Sequence, residues 1–172
     1  VAGFIGSPAM NLADATLARA DGSLSVTFGP HTLAVDERAV GDRPGLRTYE
    51  GKPVIIGIRP EDIEDAALSS GAPADRRLEV QVELREALGS DVVAHFGSGV
   101  PAVVTQDTKE LMADVARQDE AEIEAAAAEE EQSMFIARLD AETRVREGEP
   151  AELVVDTRKL HFFDPETGLG IY

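Results

Sequence analysis

The residues whose types and spacing could do chemistry are few. Gly51-Lys52-Pro53 is the nearest approach to a phosphate loop. Such a loop needs a Gly-rich turn feeding a helix, so that several backbone N–H groups converge on phosphate, and a Ser or Thr after the Lys for Mg²⁺. Here Pro53 takes that place and a strand-like run follows. His31, His95 and His161 lie far apart, and none sits at the i, i+4 spacing that puts two imidazoles on one helix face for a metal. Ser7, Ser69, Ser70, Ser90 and Ser98 include no Gly-x-Ser-x-Gly elbow, so no hydrolase triad is placed. Cys is absent, which removes disulfides, thiolate ligands and thiol nucleophiles together. Carboxylate pairs occur at Glu61-Asp62 and along Glu129 to Glu131, but without the Asp-x-Asp-x-Asn-Gly order of a Ca²⁺ loop. The sequence therefore predicts no catalytic residue, no cofactor site and no metal site in these 172 residues.

Charge narrows the partners. Sixteen basic residues against 33 acidic ones give −17, which repels phosphate backbones and anionic headgroups within about a Debye length. Nucleic acid is excluded as an expected partner. With 43% hydrophobic residues the chain can bury a core, yet no apolar run reaches the roughly 20 residues of a spanning helix, so direct membrane insertion is not expected.

The elements that would position these residues are mostly strands. Asn11 to Ala20, Ser23 to Phe28 and His31 to Val35 read as a meander broken at Asp21-Gly22 and Gly29-Pro30, and Asp-Gly between alternating runs signals a hairpin. Gly41 to Gly51 reads as a loop. Val54, Ile55, Ile56 and Ile58 form a run buried on both faces, ended by Arg59-Pro60-Glu61-Asp62, because Pro60 cannot extend a ladder. Leu78, Val80, Val82 and Leu84 alternate with polar residues as a half-buried strand, turned by Leu88-Gly89-Ser90-Asp91 into Val92 to Phe96. Further strands are predicted at Met134 to Leu139, Ala151 to Asp156 and Lys159 to Phe163. No internal repeat is legible.

One segment changes period. Between 105 and 132, Asp107 with Glu110 makes a capping-box-like start, and the Ala- and Glu-rich stretch beyond Asp119 has high helix propensity. Asp107 to Glu131 holds ten acidic and two basic residues, a net −8. Its acidic side chains, Asp119, Glu120, Glu122, Glu124, Glu129 and Glu130, make it a candidate docking helix for a basic partner. The fold class expected is mostly β: a small barrel or pair of barrels, interrupted once by an inserted acidic α-helix.

A resemblance runs through the chain. VAGFIGSPAMNL, residues 1–12, resembles the segment that joins the ATPase domain to the C-terminal domain in sugar-importer ABC ATPases of the maltose-importer type. Gly57-Ile58-Arg59-Pro60-Glu61-Asp62 is similar to that family's Gly-Ile/Val-Arg-Pro-Glu motif, and Glu86-Ala87-Leu88-Gly89-Ser90-Asp91 to its Glu-x-Leu-Gly turn. The closing Lys159 to Gly168 resembles its last strand. The resemblance implies oligonucleotide/oligosaccharide-binding (OB)-like barrels of the TOBE or MOP type over 11–172, a linker over 1–10 and an insertion at about 105–132. It also implies that ATP and Mg²⁺ belong to a preceding ATPase domain, and that Val1 is a cut and not a true terminus.

From the same resemblance follow the expected partners: a second copy through this domain, membrane subunits through the ATPase domain, and a regulatory protein or ligand. The place expected is the cytoplasmic face of a bacterial membrane. Arg59, Pro60, Glu61, Glu86 and Gly89 are the candidate dimer or regulatory contact. Two other readings stand beside this one: a small-ligand or oxyanion-binding module of the MOP type, and a free-standing acidic interaction domain.

Overall fold

The computed structural model describes residues 10–101, 103 and 133–172. The expected helix at about 105–132, with its candidate docking residues, and the linker short of Met10 lie outside the described residues. Strands β1 (Asn11–Ala20), β2 (Ser23–Phe28) and β3 (His31–Ala34) form the expected antiparallel meander. At its first turn Asp21 and Gly22 both take positive φ, 52° and 82°, which is the geometry that makes Asp-Gly a hairpin signal.

Two short elements replace what reads as strand end and loop. Helix α1 (Glu37–Asp42) starts where the Asp36 carboxylate accepts from the Arg38 N–H at 2.9 Å, and a 3-10 turn spans Pro44–Tyr49. Six residues are too few to show a helical period, so this helix leaves no signal in the sequence reading. Both elements bury one apolar side chain, Ala39 and Leu46. Strand β4 (Pro53–Ile58) follows, and every residue after Pro53 is buried, as the β-branched run predicts.

A 3-10 turn, Pro60–Asp62, carries the chain into β5 (Ile63–Asp65), a strand too short to stand out in the sequence. Then come β6 (Arg77–Ala87), β7 (Asp91–Gly97), β8 (Met134–Asp140) and β9 (Pro150–Val155). A further 3-10 turn, Thr157–Lys159, precedes β10 (His161–Phe163), so the last strand begins two residues later than Lys159. One alternation fails: the pairing slips between Val82 and Leu84, a bulge that sets Leu84 opposite His95 and leaves it 41% exposed.

The strands form two five-stranded sheets, ordered β3-β2-β1-β4-β10 and β8-β7-β6-β9-β5. The pattern is the same in both. In each, three meander strands are joined by a fourth that returns beside the first, which is the OB arrangement, and the repeat lives in topology although no repeat is legible in the sequence. The fifth strands are exchanged: β5 leaves the first half of the chain to pair with β9, and β10 leaves the second half to pair with β4. Glu64 on β5 accepts from the Asp140 N–H at 3.2 Å, bringing β5 beside the end of β8 and nearly closing that sheet into a barrel.

Both barrels share one core. Phe28 of the first stacks on Phe135 of the second at 6.1 Å between ring centroids, and Phe135 meets Phe96 edge-on at 6.0 Å. Asn11 crosses the same boundary: its amide donates to the Ile136 carbonyl and accepts from the Ile136 N–H, both at 2.8 Å. Beyond β7 the hairpin is extended by Ser98 and Ser133, joined by a backbone bond of 2.9 Å and a hydroxyl contact of 2.7 Å. Ser98 and Val100 are thereby held beside Ser133, whose N–H donates to the Val100 carbonyl at 2.9 Å.

Candidate functional site

The 3-10 turns Pro60–Asp62 and Thr157–Lys159 are where the chain changes barrels, and they lie against each other. The Asp156 N–H donates to the Asp62 carbonyl at 2.9 Å, and Lys159 Nζ stands 3.6 Å from Asp62 Oδ1. Counted from the strand that enters each turn, Arg59-Pro60-Glu61-Asp62 corresponds to Asp156-Thr157-Arg158-Lys159. Charges at three of the four positions are reversed. The exchange sets Asp62 of one turn beside Lys159 of the other. Pro60 and Thr157 are both buried, but the Thr157 hydroxyl has no hydrogen-bond partner there.

A groove of about 600 Å³ opens beside these turns, lined by Asp36, Glu61, Asp62, Asp156 and the cations Arg38 and Arg76 among others. Its charges are largely committed to one another. Arg76 Nη2 donates to Asp36 Oδ2 at 3.0 Å, and the Arg38 N–H with Arg76 holds the Asp36 carboxyl below its usual range. Asp156 accepts from both Nε and Nη2 of Arg158 at 3.0 Å, which lowers it in the same way. Asp62 goes the other way: its side chain is only 7% exposed, and burial raises its carboxyl despite Lys159. Arrays of paired charge fix a surface's shape and complementarity.

The sequence-predicted residues fall in two places. Arg59, Pro60 and Glu61 form the first crossover turn, with Pro60 buried, Arg59 and Glu61 exposed, and Glu61 on the groove. Glu86 and Gly89 lie at the far end of β6, where Glu86 Oε2 is 3.4 Å from His95 Nε2 and Gly89 turns the hairpin. Among the described residues, neither a hydrogen bond nor an ion pair links the two groups. The groove's other half escaped the sequence reading. The sequence reading does not single out Asp36, and Asp156 to Lys159 read as two strand ends joined by a Thr157-Arg158 turn, because their meeting with Asp62 depends on the strand exchange.

The histidines keep separate company. His31 lies 5.2 Å from the Phe28 ring centroid, His95 faces Glu86, and His161 sits on β10 opposite Gly57. Among the described residues no three His, Asp or Glu side chains converge as metal ligands.

Comparison with known proteins decides the relationship. A family model described as the MalK OB fold domain matches residues 6–63. The trehalose import ATP-binding protein SugC of Mycobacterium tuberculosis is 39% identical over 99% of this chain and 40% of its own length. The chain is related to the ATP-binding subunits of sugar importers. The trehalose/maltose import ATP-binding protein MalK of Thermococcus litoralis is 34% identical over the whole chain and 37% of its own length. This OB-fold chain thus spans about two fifths of the curated relatives it matches. Its fold is also that of the cytoplasmic molybdate-binding protein ModG, with a TM-score of 0.52 at 12% identity over 94% of this chain and all of that one. Where the family model ends, at Ile63, the first barrel still lacks β10.

Proposed function

We propose that this domain is the regulatory and dimerisation region of the ATP-binding subunit of a carbohydrate ABC importer, working at the cytoplasmic face of the membrane. The observation that carries the reading is the likeness to the trehalose import subunit over 99% of the chain. The described groove supports it, since paired charges on a rigid crossover suit a contact surface better than a reaction centre. On this reading ATP hydrolysis belongs to an ATPase region outside these 172 residues, and the membrane subunits are reached through it. The Arg59-Pro60-Glu61 turn, with Glu86 and Gly89, provides the contact with a second copy or a regulator.

The turn is suited to that task because burial of Pro60 holds the backbone while Arg59 and Glu61 face solvent. Glu61→Lys places a like charge against the partner's Arg or Lys groups, and sedimentation equilibrium is expected to show association weakened at least tenfold. Unchanged association removes Glu61 from the contact. A second reading, a small-ligand or oxyanion module, draws on the fold shared with the molybdate-binding protein. Calorimetric titration with molybdate, tungstate and trehalose decides it, and heat from an oxyanion alone favours the second reading.

A further inference from the structure

Three unpaired arginines meet at the mouth of the second barrel. Among the fourteen described Lys and Arg residues, Arg19, Arg76, Arg77, Arg138, Arg158 and Lys159 are ion-paired with described carboxylates and the other eight are not. Of those eight, Arg85, Arg144 and Arg146 line a single cleft of about 560 Å³, whose remaining lining is Thr143, Val145 and Glu147. The cleft lies between the end of β6 and the chain that joins β8 to β9.

The bulge in β6 puts Arg85 there. Val82 pairs with Phe96, and both are buried in the core, so strict alternation would turn Leu84 inward next and Arg85 outward. The slip between Val82 and Leu84 does the reverse. It pairs Arg85 with Ala94, which pairs in turn with Ala137, and both alanines are fully buried. Residues paired across a ladder share a face, so the bulge gives Arg85 a core-facing place at the end of its strand, beside partners that carry only methyl groups. Arg85 is half-buried, and its Nε is buried without a hydrogen-bond partner.

The opposite wall is pinned at both ends. The Thr143 hydroxyl donates to Asp65 Oδ2 at 2.6 Å and accepts from the Val145 N–H at 3.3 Å, while the Gly148 N–H donates to the Val82 carbonyl at 2.8 Å. Thr143 and Val145 are buried, and Arg144 and Arg146 alternate with them as exposed residues. A fixed stretch thus presents two guanidiniums at the rim, and Arg85 supplies a third from the barrel side.

We propose that this cleft binds the phosphate monoester of a small polyhydroxylated molecule. Three guanidiniums against the one carboxylate of Glu147 leave the lining positive on a chain of −17, and guanidinium forks match phosphate oxygens in pairs. A half-buried guanidinium without a countercharge is costly, and a bound dianion supplies that charge. The volume lies in the range of small-molecule sites and leaves room for an organic body beside the phosphate. Glu147 repels phosphate but accepts hydrogen bonds from hydroxyls, so it serves that body. None of the three arginines lines the crossover groove, and the site holds whether or not the domain regulates a transporter.

Calorimetric titration of the whole chain with glucose 6-phosphate, inorganic phosphate and glucose, at matched ionic strength, tests the site. Glucose 6-phosphate is expected to bind saturably and about tenfold tighter than inorganic phosphate, with no saturable heat from glucose. Arg144→Gln and Arg146→Gln each weaken the sugar phosphate by about tenfold, and because both side chains are exposed these variants keep the fold. Arg47→Gln removes an exposed, unpaired arginine that lies outside the cleft, and it leaves binding unchanged. Glu147→Gln narrows the preference for the sugar phosphate over phosphate. Absence of saturable binding, or binding that Arg144→Gln and Arg146→Gln weaken no more than Arg47→Gln does, overturns the site. Inorganic phosphate binding as tightly as the sugar phosphate overturns the polyhydroxylated ligand.

Discussion

At the residue scale each crossover turn buries a polar group whose removal is expected to stabilise the fold. Thr157 is fully buried with its hydroxyl unpartnered, in the place that Pro60 occupies in the other turn. Replacing a buried unsatisfied hydroxyl by a methyl of the same shape removes a desolvation cost of about 1 to 3 kcal/mol. Thr157→Val is therefore expected to stabilise the protein by about 1 kcal/mol, read as a higher urea midpoint with an unchanged slope. Asp62 carries a pH dependence. Burial raises its carboxyl above the ordinary value, so the folded chain keeps a proton that the unfolded chain loses. The contribution of Asp62 to stability thus falls as pH rises through its folded pKa. Asp62→Asn is expected to unfold at a higher urea concentration than the parent at pH 7. That gap closes as pH drops through the carboxylate range, and a gap that stays constant with pH counts against the assignment. Lys159 softens the effect little, because its side chain is 62% exposed.

At the element scale Asn11 does the work of a missing strand. β8 lies at the edge of its sheet, and the Asn11 amide satisfies both backbone groups of Ile136 as a neighbouring strand would. Asn11→Ala leaves an N–H and a carbonyl unpaired near the core and is expected to cost about 2 to 3 kcal/mol, with Asn11→Asp recovering only the acceptor half. Chemical denaturation of the three proteins measures this. Elements with an alternating or β-branched run were legible beforehand. β1 and β2 match their predicted limits residue for residue, since period two and Asp-Gly act locally, and β4 betrays its burial by composition. Elements without one were not. α1 holds six residues, short of two helical turns, and β5 and the Thr157–Lys159 turn hold three each, so tertiary contacts define them. Half of the candidate groove was legible, through the Arg59-Pro60-Glu61 turn. Its other half was hidden, because nothing local in Asp156 to Lys159 reveals that these residues meet Asp62 from a strand some ninety residues earlier.

At the scale of the whole molecule, the exchange of β5 and β10 makes two barrels one cooperative unit. Each sheet is incomplete without a strand from the other half, and Phe28, Phe96 and Phe135 join the interiors. Calorimetry is expected to give a single transition whose calorimetric and van't Hoff enthalpies agree, where two independent barrels would give two. A chain ended at Lys159 loses the buried Leu160, Phe162, Phe163 and Ile171. Its circular dichroism is expected to show both barrels disrupted, and not the first alone.

The strand exchange has a further meaning for a protease. The loop between β5 and β6 is mostly exposed and ends at Arg76 and Arg77, so a single tryptic cut there would divide the polypeptide almost in two. Neither piece could leave. The amino-terminal piece carries β5 on the other's β9, and the carboxy-terminal piece carries β10 on the first's β4. A nicked molecule would run as two bands on a denaturing gel and as one particle in solution. The same reasoning makes the halves a split protein, able to reassemble only when both are present.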